Sequence, residues 1–142
     1  VIDTNTGGDS SAVAGSSAVC AGDQGAWEPY HEALFARQPQ QETAEGFPTD
    51  AYTEAAKEAG LQGDALDAWQ QCTDDGTYVD CVRSVDEASF KAGFKGTPAL
   101  SVDGTRLQWG DLVDEATGRM DTARLEEILT SGEVPSELEE TP

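Results

Sequence analysis

The stretch GFKGTPALSVDG, residues 93–104, decides how the chain is expected to fold. A Gly-Thr-Pro triplet stands directly before ALSV, the most strand-like run of the sequence. Because proline has no N–H to give to a strand ladder, its place immediately before a strand calls for an explanation. The run ends in Asp103-Gly104, the dipeptide that type I′ turns prefer, so TPALSVDGTRLQW is predicted to form a β-hairpin.

The composition of the chain limits the partners that it can bind. Its 142 residues include 28 Asp and Glu against 8 Lys and Arg, which gives a formal net charge of −20. Such a field repels nucleic-acid phosphates and anionic membrane surfaces, so neither is expected as a partner. The length fits one domain that buries a core without a metal, and no apolar run is long enough to span a bilayer.

Helical periodicity dominates the sequence before the hairpin. Residues 12–20 are rich in small side chains, which suits a helix packed closely against a neighbour. QGAWEPYHEALFARQP predicts the clearest helix, because its large side chains recur at helical spacing on one face. That face comprises Trp27, Tyr30, His31, Leu34 and Phe35. His31 is therefore expected to be a core residue and not a catalytic base.

Three more helices are predicted before the hairpin and one after it. The first two follow Pro48 and Asp64, and the third runs from about residue 77 to 92. After the hairpin, DTARLEEILTSG predicts a helix capped by Asp121. The acidic end of the chain, EVPSELEETP, is expected to be a solvated, mobile tail.

Two stretches of the chain resemble the DsbA-like thiol–disulfide oxidoreductases, which are thioredoxin-fold proteins with a helical insertion. SSAVCAGDQGAWEPYHEALFARQP resembles the part of those proteins that follows the active-site helix. AGFKGTPALSVDGTRL resembles the segment that ends their insertion, with its Gly-Thr-Pro at residues 96–98. The resemblance runs from about residue 9 to residue 129. The matching residues of the first stretch are Ala18, Cys20, Ala21, Gln24, Gly25, Trp27, Tyr30, His31, Leu34 and Phe35.

The resemblance implies an α/β, mostly helical chain with an incomplete thioredoxin-like fold. A helical insertion of four helices is followed by the β-hairpin and a C-terminal helix. The expected domains are a strand remnant and loop over residues 1–8, the helical insertion over 9–93, the thioredoxin-like hairpin and helix over 94–132, and the acidic tail over 133–142.

The resemblance also explains the proline before the strand. In the thioredoxin fold this proline is cis, and its loop faces the reactive disulfide. Pro98 is therefore expected to be cis, and the backbone at Thr97 is expected to offer hydrogen bonds to a substrate strand. Both residues are candidate substrate-binding residues on this basis. The alternative is an ordinary trans proline at the first position of a strand.

The catalytic Cys-x-x-Cys of the DsbA-like proteins has no counterpart among these residues. In those proteins it lies at a helix N-terminus, where the helix dipole lowers the pKa of the thiol. The cysteines of this sequence are Cys20, Cys72 and Cys81, and no two of them have that spacing. The resemblance implies the C-terminal part of a DsbA-like protein, with no catalytic residue of its own and no activity alone.

The spacing of Cys72 and Cys81 favours a structural disulfide. One continuous helix would separate them by about 13 Å and place them on opposite faces. A turn at the Asp-Asp-Gly of residues 74–76 lets them face each other across a helical hairpin instead, and a disulfide between them is predicted. The alternative is two reduced, buried thiols. Cys20 lies among small apolar residues and is expected to be a free, buried thiol.

These observations lead to one functional hypothesis and its rival. The parent protein is expected to exchange disulfides with cysteine-containing secreted polypeptides, in an extracytoplasmic compartment that suits a structural disulfide. No cofactor and no metal are expected, because the sequence shows neither zinc spacing nor an EF-hand loop. The truncated sheet is expected to invite a homodimer. The rival is a non-catalytic thioredoxin-like or helical peptide-binding module.

Overall fold

The computed structural model describes residues 10–40, 46–94, 96 and 99–139. It divides the chain into two compact units, residues 1–91 and residues 92–142. We call them the helical unit and the hairpin unit. Within the described residues, no helix combines the length and the apolarity that crossing a bilayer requires. The predicted α/β, mostly helical class is confirmed.

The helical unit contains five helices in its described part. Four correspond to the predicted helices, and the small-residue segment around Cys20 forms a fifth that is 14 residues long. The bounds are α1 Ser10–Asp23, α2 Trp27–Phe35, α3 Thr49–Glu58, α4 Asp64–Asp74 and α5 Val79–Lys91.

Helix α1 is the centre of the helical unit, because it contacts each of the four other helices. Its small side chains allow this close approach. A Cβ atom placed on Gly15 would lie 3.0 Å from a methyl carbon of Val82 on α5. Among its residues, Ala12, Ser17 and Cys20 have no exposed surface. The composition of residues 12–20 therefore predicted both the helix and its tight packing.

The predicted apolar face of α2 is divided between the core and the surface. Tyr30 and Leu34 are buried, as expected, but Trp27 is 50% exposed and Phe35 is 57% exposed. His31 is partly exposed, and its ring lies between the two, with centroid distances of 5.0 Å to Trp27 and 4.4 Å to Phe35. The prediction of His31 as a core residue is wrong. The buried face of α2 consists of Tyr30, Ala33 and Leu34, so the three stacked aromatic rings lie on a different face of the helix.

The hairpin unit contains the predicted β-hairpin. Strand β1, Leu100–Val102, pairs antiparallel with β2, Thr105–Leu107. The turn residues Asp103 and Gly104 have φ angles of 48° and 86°, the two positive values that a type I′ turn needs. Asn, Asp and Gly tolerate this conformation best, and the Asp-Gly pair therefore predicted the turn correctly.

A helix and a short core complete the hairpin unit. Helix α6, Thr122–Ser131, begins after the predicted cap Asp121, whose side chain accepts a hydrogen bond from the backbone N–H of Arg124 at 3.0 Å. The buried residues of the unit are Leu107, Leu112, Ile128 and Leu138. Short 3-10 helices lie at Trp109–Leu112 and Ser136–Leu138.

The described part of the acidic tail packs against the hairpin, which corrects the prediction of a solvated tail. Leu138 is only 4% exposed, and its carbonyl accepts a hydrogen bond from the backbone N–H of Gln108 at 2.7 Å. Glu139 forms an antiparallel bridge with Leu107 at the edge of β2. Arg124 of α6 donates to the Glu137 carboxylate at 2.7 Å. The isolated apolar residues among the carboxylates hold the segment in place.

Candidate functional site

The predicted substrate-binding residues, Thr97 and Pro98, lie outside the described residues, so both remain predictions. The segment that enters their loop is described. Gly93 ends α5 with a φ of 92°, and its carbonyl accepts a hydrogen bond from the Arg106 guanidinium. The same guanidinium lies 5.6 Å from the centroid of the Phe94 ring. Arg106 therefore attaches the start of the loop to β2.

The far end of the same loop continues directly into β1, which pairs with β2. Both ends of the loop are thus held by one strand pair, with Arg106 opposite Ser101 in the register. Sequence reasoning missed Arg106. The available signal was a single arginine on a short strand of a strongly acidic chain.

The disulfide of the helical unit joins Cys20 to Cys72, with a Cα–Cα distance of 5.9 Å. The predicted presence of a disulfide is confirmed, but the predicted pairing of Cys72 with Cys81 is wrong, and so is the assignment of Cys20 as the free thiol. The turn after α4 leaves Cys81 as an exposed free cysteine on α5. Cys72 instead faces α1, because α1 and α4 pack directly against each other.

A buried hydrogen-bond network lies one helical turn from the disulfide. The Trp69 indole N–H donates to the carbonyl oxygen of Ser17 at 3.1 Å. The Tyr30 hydroxyl donates to the Ser17 hydroxyl at 2.9 Å, and that hydroxyl donates to the carbonyl of Ala14 at 2.7 Å. The pairs 17–69 and 20–72 have the same sequence separation, so α1 and α4 run in the same direction where they touch.

Burial has a chemical effect on this network. Desolvation raises the pKa of Tyr30 to about 12, although the hydrogen bond with Ser17 acts in the opposite direction. Tyr30 is therefore a neutral donor at any physiological pH. The network holds α1, α2 and α4 in register around the disulfide, and it offers no general acid or base near neutral pH.

The arrangement around the cysteines is that of a structural bond. Cys20 has no exposed surface, so an incoming thiolate cannot reach its sulfur without opening the helical unit, and Cys72 is only partly exposed. Cys20 is bonded to Cys72, and His31 stacks with Trp27 and Phe35, so these two residues do not form a nucleophile–base pair. In the part of the chain that the structure describes, no three His, Cys, Asp or Glu residues are grouped to hold a metal ion.

A family model described as Thioredoxin matches residues 1–122 of the chain. The chain belongs to the thioredoxin family. The match includes both the helical unit and the hairpin of this thioredoxin-family chain, and it confirms the thioredoxin-like fold class. It also supports a module of the thiol–disulfide oxidoreductase type. No curated protein and no solved structure matches the chain.

Proposed function

We propose that the chain is part of a DsbA-like thiol–disulfide oxidoreductase that acts on cysteine-containing secreted polypeptides in an extracytoplasmic compartment. The observation that carries the proposal is the thioredoxin-family match across both the five-helix unit and the hairpin. A helical unit placed before the hairpin is the order of elements in the DsbA-like resemblance. The Cys20–Cys72 bond supports an oxidising compartment, because such compartments preserve structural disulfides.

The proposed reaction needs a reactive cysteine pair that these 142 residues do not contain. In thiol–disulfide exchange, a thiolate of one partner attacks a disulfide sulfur of the other, a mixed disulfide forms, and a thiolate leaves. A second thiolate then resolves the mixed disulfide, so that one pair is oxidised as the other is reduced. Because the sequence has no Cys-x-x-Cys, the pair must come from polypeptide outside these residues.

The proposed contribution of this chain is to bind and orient the substrate strand. Thr97 and Pro98 are assigned to that contact by the family resemblance. The support from the described residues is the attachment of Gly93 and Phe94 to Arg106 at one end of the loop and the start of β1 at the other.

The experiment compares two proteins in the same assays, insulin reduction and oxidative refolding of a reduced disulfide protein. One is the 142-residue chain, which is expected to be inactive. The other is the same chain extended upstream, in the reading frame of its gene, through a Cys-x-x-Cys. Activity of the extended protein that disappears when its Cys-x-x-Cys becomes Ser-x-x-Ser supports the proposal. Turnover by the 142-residue chain, abolished by Cys20→Ser, contradicts it.

A second candidate is a non-catalytic thioredoxin-like or helical peptide-binding module. The observation that favours it is the cysteine content of the sequence, whose one disulfide is buried in the helical unit and whose third cysteine stands alone. The same gene decides between the two. An upstream reading frame without any Cys-x-x-Cys favours the binding module, and an extended protein that carries the motif but lacks activity does so as well.

We also infer a homodimer through the hairpin. The edge of β2 is bridged by Glu139, whereas β1 has no strand partner at its other edge among the described residues. Its residues Leu100, Ser101 and Val102 include neither a charge nor a proline to discourage pairing. A second copy would extend the sheet across a two-fold axis. Light scattering over a range of concentrations tests this, and a monomer at the highest concentration contradicts it.

A further inference from the structure

The helical unit contains a cleft that the proposed function does not use. It has a volume of about 640 Å³ and lies among α1, α3, α4 and the start of α5. Pockets of about 300–1,000 Å³ are the size that binds small organic molecules. All the residues that line it belong to the helical unit, so its shape depends on that unit alone.

One side of the cleft is aromatic. The rings of Phe47 and Tyr52 meet edge to face with centroids 5.8 Å apart, and both are partly exposed. Trp69 lies at the buried end, where its indole N–H is fixed by Ser17. Burial raises the pKa of the Tyr52 hydroxyl, so this side of the cleft carries no charge near neutral pH. An aromatic or aliphatic body fits this wall.

The charge among the described residues that line the cleft has one sign only. The lining residues that the structure describes include one carboxylate, Asp74, and no basic side chain. Gln70 donates from its amide nitrogen to the Asp74 carboxylate at 2.9 Å, which holds that side chain in place. Among the described residues that line the cleft, no guanidinium or ammonium neutralises this carboxylate, and the chain as a whole has a net charge of −20. An anionic ligand is disfavoured here, and a cationic one is favoured.

We propose that this cleft binds a small aromatic amine in its protonated form. The ring lies against Phe47 and Tyr52, and the ammonium group pairs with the Asp74 carboxylate. This site is separate from thiol exchange, and its test is a binding measurement that needs no redox activity.

The test titrates the 142-residue chain with three probes of the same shape, followed by calorimetry and by amide and indole NMR shifts. Phenethylammonium is expected to bind at least tenfold tighter than the neutral 2-phenylethanol, and 3-phenylpropionate is expected not to bind. A capped lysine carries the same charge without a ring, and it is expected to bind more weakly than phenethylammonium. Equal binding of the amine and the alcohol overturns the proposal, as does tighter binding of the capped lysine.

Two matched variants locate the charge recognition. Asp74→Asn is expected to remove the tenfold preference for the amine, whereas Asp75→Asn, the same change one residue further and outside the cleft lining, is expected to change affinity less than twofold. Equal losses in both variants would show a general field effect and overturn the site. Unchanged circular dichroism and an unchanged Trp69 indole shift in the free variants establish that both remain folded.

Shifts confined to Phe47, Tyr52 and Trp69 on titration support the location. Shifts that centre on Trp27, His31 and Phe35 instead would place the amine on the exposed aromatic rings of α2 and overturn the proposal.

Discussion

The helical unit and the hairpin unit differ in how their structures are held together. Among the described residues, the helical unit has a disulfide, a buried hydrogen-bond network and a core cluster of 12 buried residues, whereas the core of the hairpin unit consists of four. A two-stranded sheet is marginal by itself, and a small core contributes little to offset chain entropy. The helical unit is therefore expected to be a stable scaffold, and the hairpin unit to depend on a few side chains and on its partners.

The largest expected difference between the units comes from the disulfide. Replacing Cys20 and Cys72 by alanine removes a bond between residues 52 apart in sequence. The lost loop constraint is expected to lower the free energy of unfolding of the helical unit by about 4 kcal/mol at 25 °C. Guanidinium denaturation followed by circular dichroism measures it.

The control for the disulfide variant is Cys81→Ser, which changes an exposed thiol and is expected to alter stability by less than about 0.5 kcal/mol. The wild-type chain should show one free thiol when it is denatured without reductant. Two outcomes contradict the observed pairing: a second or third free thiol in freshly oxidised protein, or a loss for Cys81→Ser as large as for the double variant.

The next effect tests how much the hairpin unit depends on single side chains. Leu138→Ala removes a side chain that is 4% exposed from a core of four, and it is expected to cost about 2–3 kcal/mol. The matched control is Leu129→Ala on α6, where the same side chain is 60% exposed and the cost is expected to be below about 0.5 kcal/mol.

Hydrogen exchange shows where the loss at Leu138 acts. Protection of the β1 and β2 amides is expected to fall in Leu138→Ala, while the Trp69 indole N–H in the helical unit is expected to keep its protection. Equal loss of protection in both units would mean that they unfold as one, which would contradict the expected difference in stability between them.

A third prediction concerns the loop entrance at Gly93. Gly93→Ala forces a side chain into a φ of 92° and places its Cβ 2.8 Å from the Arg106 guanidinium. Gly104→Ala has nearly the same φ, 86°, but its Cβ meets nothing within 4 Å. Both are expected to cost about 1 kcal/mol from backbone strain. Only Gly93→Ala is expected to lose more, because it displaces Arg106.

The difference between the two glycine variants measures the Arg106 contact, which is expected to contribute roughly 0.5–1 kcal/mol to the hairpin unit. Thermal unfolding and the NMR shift of the Phe94 ring check it. A larger cost at Gly104 than at Gly93 would show that Arg106 does not hold the loop entrance.

The smallest expected effect concerns Tyr30 in the buried hydrogen-bond network of the helical unit. Burial raises the pKa of Tyr30 to about 12, whereas an unfolded tyrosine has a pKa of 10.0. Between these values the unfolded state releases a proton that the folded state keeps. The contribution of neutral Tyr30 to stability is therefore complete below pH 10 and is lost as the pH rises toward 12.

Tyr30→Phe is expected to flatten this alkaline decline and to cost roughly 1 kcal/mol at neutral pH, since the hydrogen bond to Ser17 is lost. Denaturation curves from pH 8 to 12 in a Cys81→Ser background measure both effects without thiolate exchange. An alkaline decline of the same slope in Tyr30→Phe would place its origin elsewhere.

Local patterns in the sequence predicted most of the elements of both units. The Asp103-Gly104 turn, the Asp121 cap and the helical periodicity after Pro48 and Asp64 act over a few residues, and each formed as expected. The errors concern contacts between distant residues. Cys20 and Cys72 meet because α1 packs against α4, and periodicity within one helix does not show which helix lies opposite it.

The predictions of a fully buried apolar face on α2 and of a solvated end of the chain are wrong for related reasons. A stripe of Trp27, His31 and Phe35 is typical of a buried face, but Ala33 on the neighbouring face packs inward in its place. Leu138 stands among acidic residues. Their charge predicted a solvated segment, although this leucine is buried. The candidate loop stays a prediction from Gly-Thr-Pro, whereas the contact of Arg106 with Gly93 is visible only in the three-dimensional structure.

The position of the free Cys81 has a consequence for how the polypeptide matures. Cys81 follows Cys72 by nine residues, whereas the native partner Cys20 is 52 residues away. In an unfolded, oxidising chain, loop closure favours the short pairing by about 14-fold. The first bond to form is thus expected to be the wrong one, and reshuffling by a disulfide isomerase or by small-molecule thiols is expected to set the rate at which newly made chains reach the native pairing.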